Sequence, residues 1–216
     1  MTEGYTLLFK LVTFLSVSLL ITATAIGTWL YPQLPRGQKW FYYYLVFFCF
    51  IELSSRVLVF FGLENLMLYP IYMVGELVLL SRMFVISLNL SKKWFLAALI
   101  FSLIIGAESY YLNYIGEHIT SGIGKTCSHL VIISFSGAYL IKTLRDFNLD
   151  SDNHFLPVFS AIFFYYALAL FFFLLLKQLP DISMQQASMI WSMNNVLSSF
   201  FYGTTIYTLL TLKRSK

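Results

Sequence analysis

The stretch Trp40–Leu63, WFYYYLVFFCFIELSSRVLVFFGL, decides the class of fold. It is apolar for long enough to cross a bilayer as a helix, since about 20 residues at about 1.5 Å each match a hydrocarbon core of about 30 Å. Inside it stand Glu52 and Arg56, one helical turn apart and therefore on one face. By the same rise per residue, Glu52 lies near the midplane of such a core. Charges at that depth are costly, face a bundle interior or a wet cavity, and are functional candidates by default.

The rest of the chain agrees with a lipid environment. Of its 216 residues 59% are hydrophobic and 11% charged, more apolar surface than one soluble core could hide. Apolar runs separated by short polar connections leave no room for a separate soluble domain, so the expectation is one all-α membrane domain, a bundle of seven transmembrane helices. The spans fall at Leu7–Tyr31, Trp40–Phe61, Leu66–Leu88, Trp94–Tyr114, Ile123–Leu144, His154–Leu176 and Gln185–Leu212. Pro32, Pro35 and Gly37 end the first, and the loop after the fifth is acidic, with Asp146, Asp150 and Asp152. Leu11–Thr22 followed by Ala23-Thr24-Ala25 imitates a secretory signal, but Glu3 stands against Lys10 and removes the usual positive bias, so the segment reads as a span.

Basic residues are retained on the cytoplasmic side. With the amino terminus outside, the inner positions collect Arg36, Lys39, Arg82, Lys92, Lys93, Lys142, Arg145, Lys213, Arg214 and Lys216, and the outer ones keep Lys10, Lys125 and Lys177. The amino terminus is therefore expected outside and the carboxyl terminus in the cytoplasm, in a bacterial inner membrane. Trp29, Tyr31, Trp40, Trp94, Tyr110 and Tyr111 stand near span ends, where interfacial aromatic residues collect.

Depth can then be compared between spans. Glu76 falls about 15 Å down, level with Glu52, and His129 about 10 Å down. Glu108 and Arg56 fall in the outer third. The last span, with Trp191, Asn194, Asn195, Ser198 and Tyr202, is the least lipid-like, and its polar groups need internal partners. The expected ligand-binding cavity is therefore lined by Glu52, Arg56, Glu76, Glu108, His129, Trp191, Asn194 and Asn195. Plainer roles stand beside that one. Glu52 and Arg56 can neutralise each other, Asn194 and Asn195 can bond neighbouring helices, and His129 can be a packing residue. Glu76 has no basic residue one turn away on its own helix, and an unpartnered buried carboxyl is expected to be protonated.

Several chemistries are excluded by residue type. The three histidines, His118, His129 and His154, lie in separate regions without metal-ligand spacing, and Cys49 and Cys127 make no CxxC. No metal, cofactor or catalytic residue is expected. The last span has no lysine between Pro180 and Lys213 for a retinal Schiff base. Gly124-Lys125-Thr126 lacks the first glycine of a phosphate loop, Ile119 standing in its place, and no GxSxG elbow occurs. The chain reads as no enzyme and has no nucleic-acid partner.

At Pro32-Gln33 the end of span one resembles the proline-glutamine turn of the PQ-loop and SWEET transporters. The stretch Tyr31–Arg36 is paralleled by Tyr139–Arg145, with Leu140-Ile141 where a second Pro-Gln would stand. The resemblance implies seven spans, two three-helix repeats joined by a linker helix, Pro32 as a hinge and Asn195 as a solute contact. Around Asn65, Tyr69, Tyr72 and Glu76, and around Trp191 and Asn195, the chain also looks like uncharacterised seven-span membrane proteins of Bacteroidota, which implies no function. Three functions follow as expectations. The first is a carrier binding a small solute at the midplane, and the second a sensor acting through a membrane or cytoplasmic protein partner. The third is a non-catalytic assembly subunit.

Overall fold

The computed structural model describes residues 2–115, 123–145, 154–178 and 184–214. The predicted acidic loop at Asp146, Asp150 and Asp152, and His118 and Pro180, lie outside the described residues. Everything described is helix and short connection: α1 (Thr2–Leu30), α2 (Arg36–Phe60), α3 (Leu68–Ser87), α4 (Lys92–Tyr114), α5 (Gly124–Arg145), α6 (Leu156–Gln178) and α7 (Met184–Arg214). Helices α1 and α2 begin about a turn before the apolar runs that betray them, because a helix continues past the point where its side chains turn polar, and the other ends fall within two residues of those runs. The first six are long and apolar enough to cross a membrane. Helix α7 is the longest at 31 residues, yet it is not among those six.

The ends have physical causes. After α1 the chain makes a 3₁₀ turn, Tyr31–Gln33, with proline in its first positions, and Pro35 then caps α2. Helix α2 stops at Gly62, whose φ of 70° suits a residue without Cβ. Leu63 N–H there donates to Leu58 O at 2.9 Å and Gly62 N–H to Val59 O at 3.0 Å, the paired bonds of a Schellman motif. Helix α3 ends the same way at Asn89, φ 56°, with Leu90 N–H on Val85 O at 2.9 Å.

The helices form a ring in the order α1, α2, α3, α5, α6, α7 and back to α1, with α4 outside against α3 and α5. Successive helices alternate in direction, so all odd-numbered helices begin at one end of the bundle, the upper end. Helices α1 and α7 therefore lie parallel. Asn195 bonds Thr13, and a Cβ on Gly27 would meet Leu209, so two contacts 14 residues apart keep the same offset of 182 along the pair.

The lower half of the ring is an aromatic core. Phe84, Phe159, Tyr44, Phe41 and Phe201 are buried there, and Tyr139 lies on Phe159 with ring centroids 3.9 Å apart. Polarity is inverted relative to a water-soluble protein: Phe60, Phe200 and Phe14 are 84%, 79% and 72% exposed, while Glu76, Ser102 and Thr205 are fully buried. Buried hydroxyls settle on their own helix, as when Ser136 donates to Ile132 O at 2.8 Å and Thr205 to Phe201 O at 2.9 Å.

Candidate functional site

A cavity of about 580 Å³ occupies the upper half of the ring. All six ring helices supply its wall. Thr13, Ser16 and Leu20 come from α1, Phe48, Glu52, Ser55 and Arg56 from α2, and Tyr69 and Tyr72 from α3. Lys125 and His129 come from α5, Tyr165, Phe172 and Phe173 from α6, and Trp191, Asn194, Asn195, Ser198 and Tyr202 from α7. Asn65 and exposed Leu66, in the connection after α2, stand at the rim. Tyr202 and Tyr165 close the floor above the aromatic core, Tyr165 stacked on Phe201 at 5.5 Å.

The expected residues divide into those on the wall and those behind it. Glu52, Arg56, His129, Trp191, Asn194 and Asn195 line the cavity. Arg56 donates to Glu52 Oε1 at 2.6 Å, and both side chains keep about a third or more of their surface open. Charges four residues apart on a helix meet with little entropy cost, so the pair is self-neutralising and still in contact with the cavity. Asn195 donates to Thr13 Oγ1 at 2.7 Å and so holds α7 to α1 as well as facing the cavity.

Glu108 is not on the wall. Its Oε1 accepts the backbone N–H of Ile123 at 2.9 Å, immediately before α5, where an unsatisfied helix donor attracts a carboxylate. Gly124 makes room for this, because a Cβ there would stand 2.6 Å from Glu108 Oε2. Glu108 lies in the outer part of the bundle, as its depth requires, but the helix face it occupies turns toward the start of α5.

Glu76 is also behind the wall, fully buried, and the expectation that it lacks a partner is corrected. Lys125 donates to Glu76 Oε2 at 2.7 Å. Tyr166 donates to Oε1 at 2.8 Å, and Tyr72, one turn before Glu76 on α3, donates to the same oxygen. Lys125 also donates to Tyr72 Oη at 3.2 Å, with its Nζ 4.3 Å from the Tyr72 ring centre. Tyr44 from α2 reaches Tyr166 Oη at 3.3 Å. Both carboxylate oxygens are thus occupied, one by an ammonium and one by two phenols, drawn from α3, α5 and α6. A buried charge tolerates such a place only when its lone pairs are filled in this way.

Lys125 was counted only among the charges of the outer side. It sits in the first turn of α5, 8% exposed, with its ammonium carried into the bundle. His129 follows one turn later. Its ring meets Tyr166 edge-on at 5.2 Å, and its buried Nδ1 has no hydrogen-bond partner. Reading by spacing could have found Tyr72, at i−4 from Glu76. Lys125, Tyr166 and Tyr44 become partners only through the packing of α2, α3, α5 and α6.

Chemically, the cavity offers an aromatic wall, one exposed neutralised ion pair at its upper part, amide and hydroxyl groups on the α7 side, and one buried ammonium. Cys49 and Cys127 are free thiols and take no part in it. No protein-family model, no curated protein and no solved structure matches the chain.

Proposed function

We propose that this is a seven-span membrane protein, upper end facing away from the cytoplasm, that takes a small solute into the cavity and carries it across the cell membrane. The observation that carries the reading is the cavity itself: about 580 Å³ bounded by ionisable and amide side chains inside a bundle whose outer surface is apolar. Polar groups in hydrocarbon need internal partners or water, and a chamber of this size is of the order that holds a small molecule.

Orientation rests on charge. Arg36, Lys39, Arg82, Lys92, Lys93, Lys142 and Arg145 all stand toward the lower end, whereas the upper end keeps Lys10 and Lys177, with Lys125 paired inside the bundle and Arg56 with Glu52. Helix α7, too polar to qualify by hydropathy, is read as the seventh span because α1 and α6 flank it and its polar residues face the cavity.

Transport in the manner of the PQ-loop proteins takes support from α4, which lies outside the ring against α3 and α5, the place a linker between two three-helix units would hold. In that reading the 3₁₀ turn at Pro32 is the hinge at the lower end of the first three-helix unit. A second reading, a sensor acting through a protein partner, is favoured by the closed aromatic core beneath the floor. An assembly subunit would keep the same polar contacts for packing alone.

Cysteine accessibility separates the three. In a background lacking Cys49 and Cys127, Ser198→Cys places a thiol on the cavity wall. A membrane-impermeant thiol reagent applied to oriented vesicles labels it from both faces if the protein is a carrier, and from the upper face alone if it is a sensor. Labelling from neither face removes the cavity as a solute site.

A further inference from the structure

We propose that the guest of this cavity carries an acceptor oxygen, a carboxylate above all, that seats on the ammonium of Lys125 while an apolar body lies along the aromatic wall. This rests on the reading of the cavity as a solute site and names the chemistry that site selects.

The sign of the guest follows from how the ion pairs are placed. Glu52 and Arg56 both face the cavity and cancel each other. The deeper pair does not cancel in the same way. Lys125 is on the wall, whereas Glu76, fully buried, stands behind it and has its lone pairs engaged by Lys125, Tyr72 and Tyr166. A guest therefore meets the positive end of the pair first.

Donor capacity points the same way. An ammonium has three N–H groups. Those of Lys125 serve Glu76 Oε2 at 2.7 Å and Tyr72 Oη at 3.2 Å, which leaves one without a protein acceptor. Tyr72 cannot substitute for it, since its hydroxyl already accepts from Lys125 and donates to Glu76. A guest oxygen completes the ammonium with a charge-assisted bond, and a cationic head would meet like charge with poor solvation. Phe48, Tyr69, Phe172 and Phe173 offer the remaining wall to hydrocarbon.

The molecule carries its own reporter. Of its four tryptophans, Trp29, Trp40 and Trp94 stand at the lower end and Trp191 lines the cavity. Bromine quenches tryptophan on contact. With the protein in phosphatidylcholine nanodiscs, 8-bromooctanoate, 8-bromo-1-octanol and 8-bromooctyltrimethylammonium are titrated, and the quenching of a Trp191→Phe variant is subtracted. The expected half-quenching concentration rises in the order octanoate, octanol, ammonium, with about tenfold between first and last after correction for partitioning. In Glu76→Gln/Lys125→Met, which removes both charges together, all probes still quench and the ratio falls toward one. Quenching without head-group preference in the unaltered protein, or a preference for the ammonium, overturns this proposal and leaves the solute site standing. A preference that survives in the double variant also overturns it. No Trp191 quenching by any probe overturns both. The ratio in the unaltered protein decides the matter even where the double variant does not fold.

Discussion

Lys125→Met is the most exacting single perturbation of this structure. Methionine fills the space of the lysine stem, so the change isolates the ammonium. At 2.7 Å and an effective dielectric constant of about 20, the bare attraction between the ammonium and Glu76 is about 6 kcal/mol. Desolvation of both ions offsets much of this in the intact pair, but the offset does not return when one partner is removed. Glu76 remains fully buried with two phenols and must either keep an uncompensated charge or take up a proton, and breaking a pair of this kind costs about 3–5 kcal/mol. For a chain of this length that is a fall in Tm of about 6–20 °C. Adding Glu76→Gln to Lys125→Met removes the stranded carboxyl, and the glutamine carbonyl still accepts from Tyr72 and Tyr166. More than half of the lost stability is then recovered. Thermal unfolding of the four proteins of this cycle, in one detergent at one protein concentration, gives the coupling. A Lys125→Met protein within about 1 kcal/mol of the parent, or a double variant less stable than the single one, would refute the account of Glu76 as a carboxylate held by Lys125.

Other consequences are smaller and separable. Glu108→Ala removes the acceptor at the start of α5 and costs about 1 kcal/mol by thermal unfolding, with no change in the quenching of Trp191 by bromo-octanoate. Asn195→Leu breaks the bond to Thr13 and is expected to cost about 0.6 kcal/mol, well below the Lys125 effect in the same assay. Gly62→Ala forces a Cβ onto a backbone with φ of 70° and lowers stability by about 1 kcal/mol, although nothing lies within 4 Å of the added atom, so a larger loss would contradict strain as the cause. Tyr166→Phe leaves the Lys125 bond to Glu76 intact while removing one donor from Oε1. Its expected cost is about 1–3 kcal/mol, with the head-group preference at Trp191 unchanged.

What could be read from the chain was whatever one helix decides alone. Glu52 and Arg56 are four residues apart, and they pair as helical spacing requires. The apolar runs located each helix, and they missed its start where polar residues continue the helix past its apolar part, by four residues at Arg36 and by two at Lys92. Hydropathy faltered at α7 for the same reason that α7 matters, since a helix that lines a polar chamber is not apolar all round. What needed two or more helices stayed hidden. Depth put Glu76 level with Glu52 and Glu108 in the outer third, but depth does not fix the face. Rotation about the helix axis sends Glu108 to the start of α5 and Glu76 behind Tyr72. Lys125 was counted only as an outer-side charge because it stands at the end of its span, and only the closeness of α3 and α5 shows that a lysine in a first turn can reach a carboxylate on its neighbour.

The parallel pairing of α1 with α7 has a consequence for how the molecule is made. The two helices that shut the ring are the first and last of the seven to leave the ribosome. Until α7 arrives, the Thr13 hydroxyl and the α1 side of the chamber have no mate, and α7 itself, rich in serine, threonine and asparagine, has a weak claim to insert into lipid by itself. The nascent protein is therefore an open crescent, and its cavity closes only as α7 settles in beside α1.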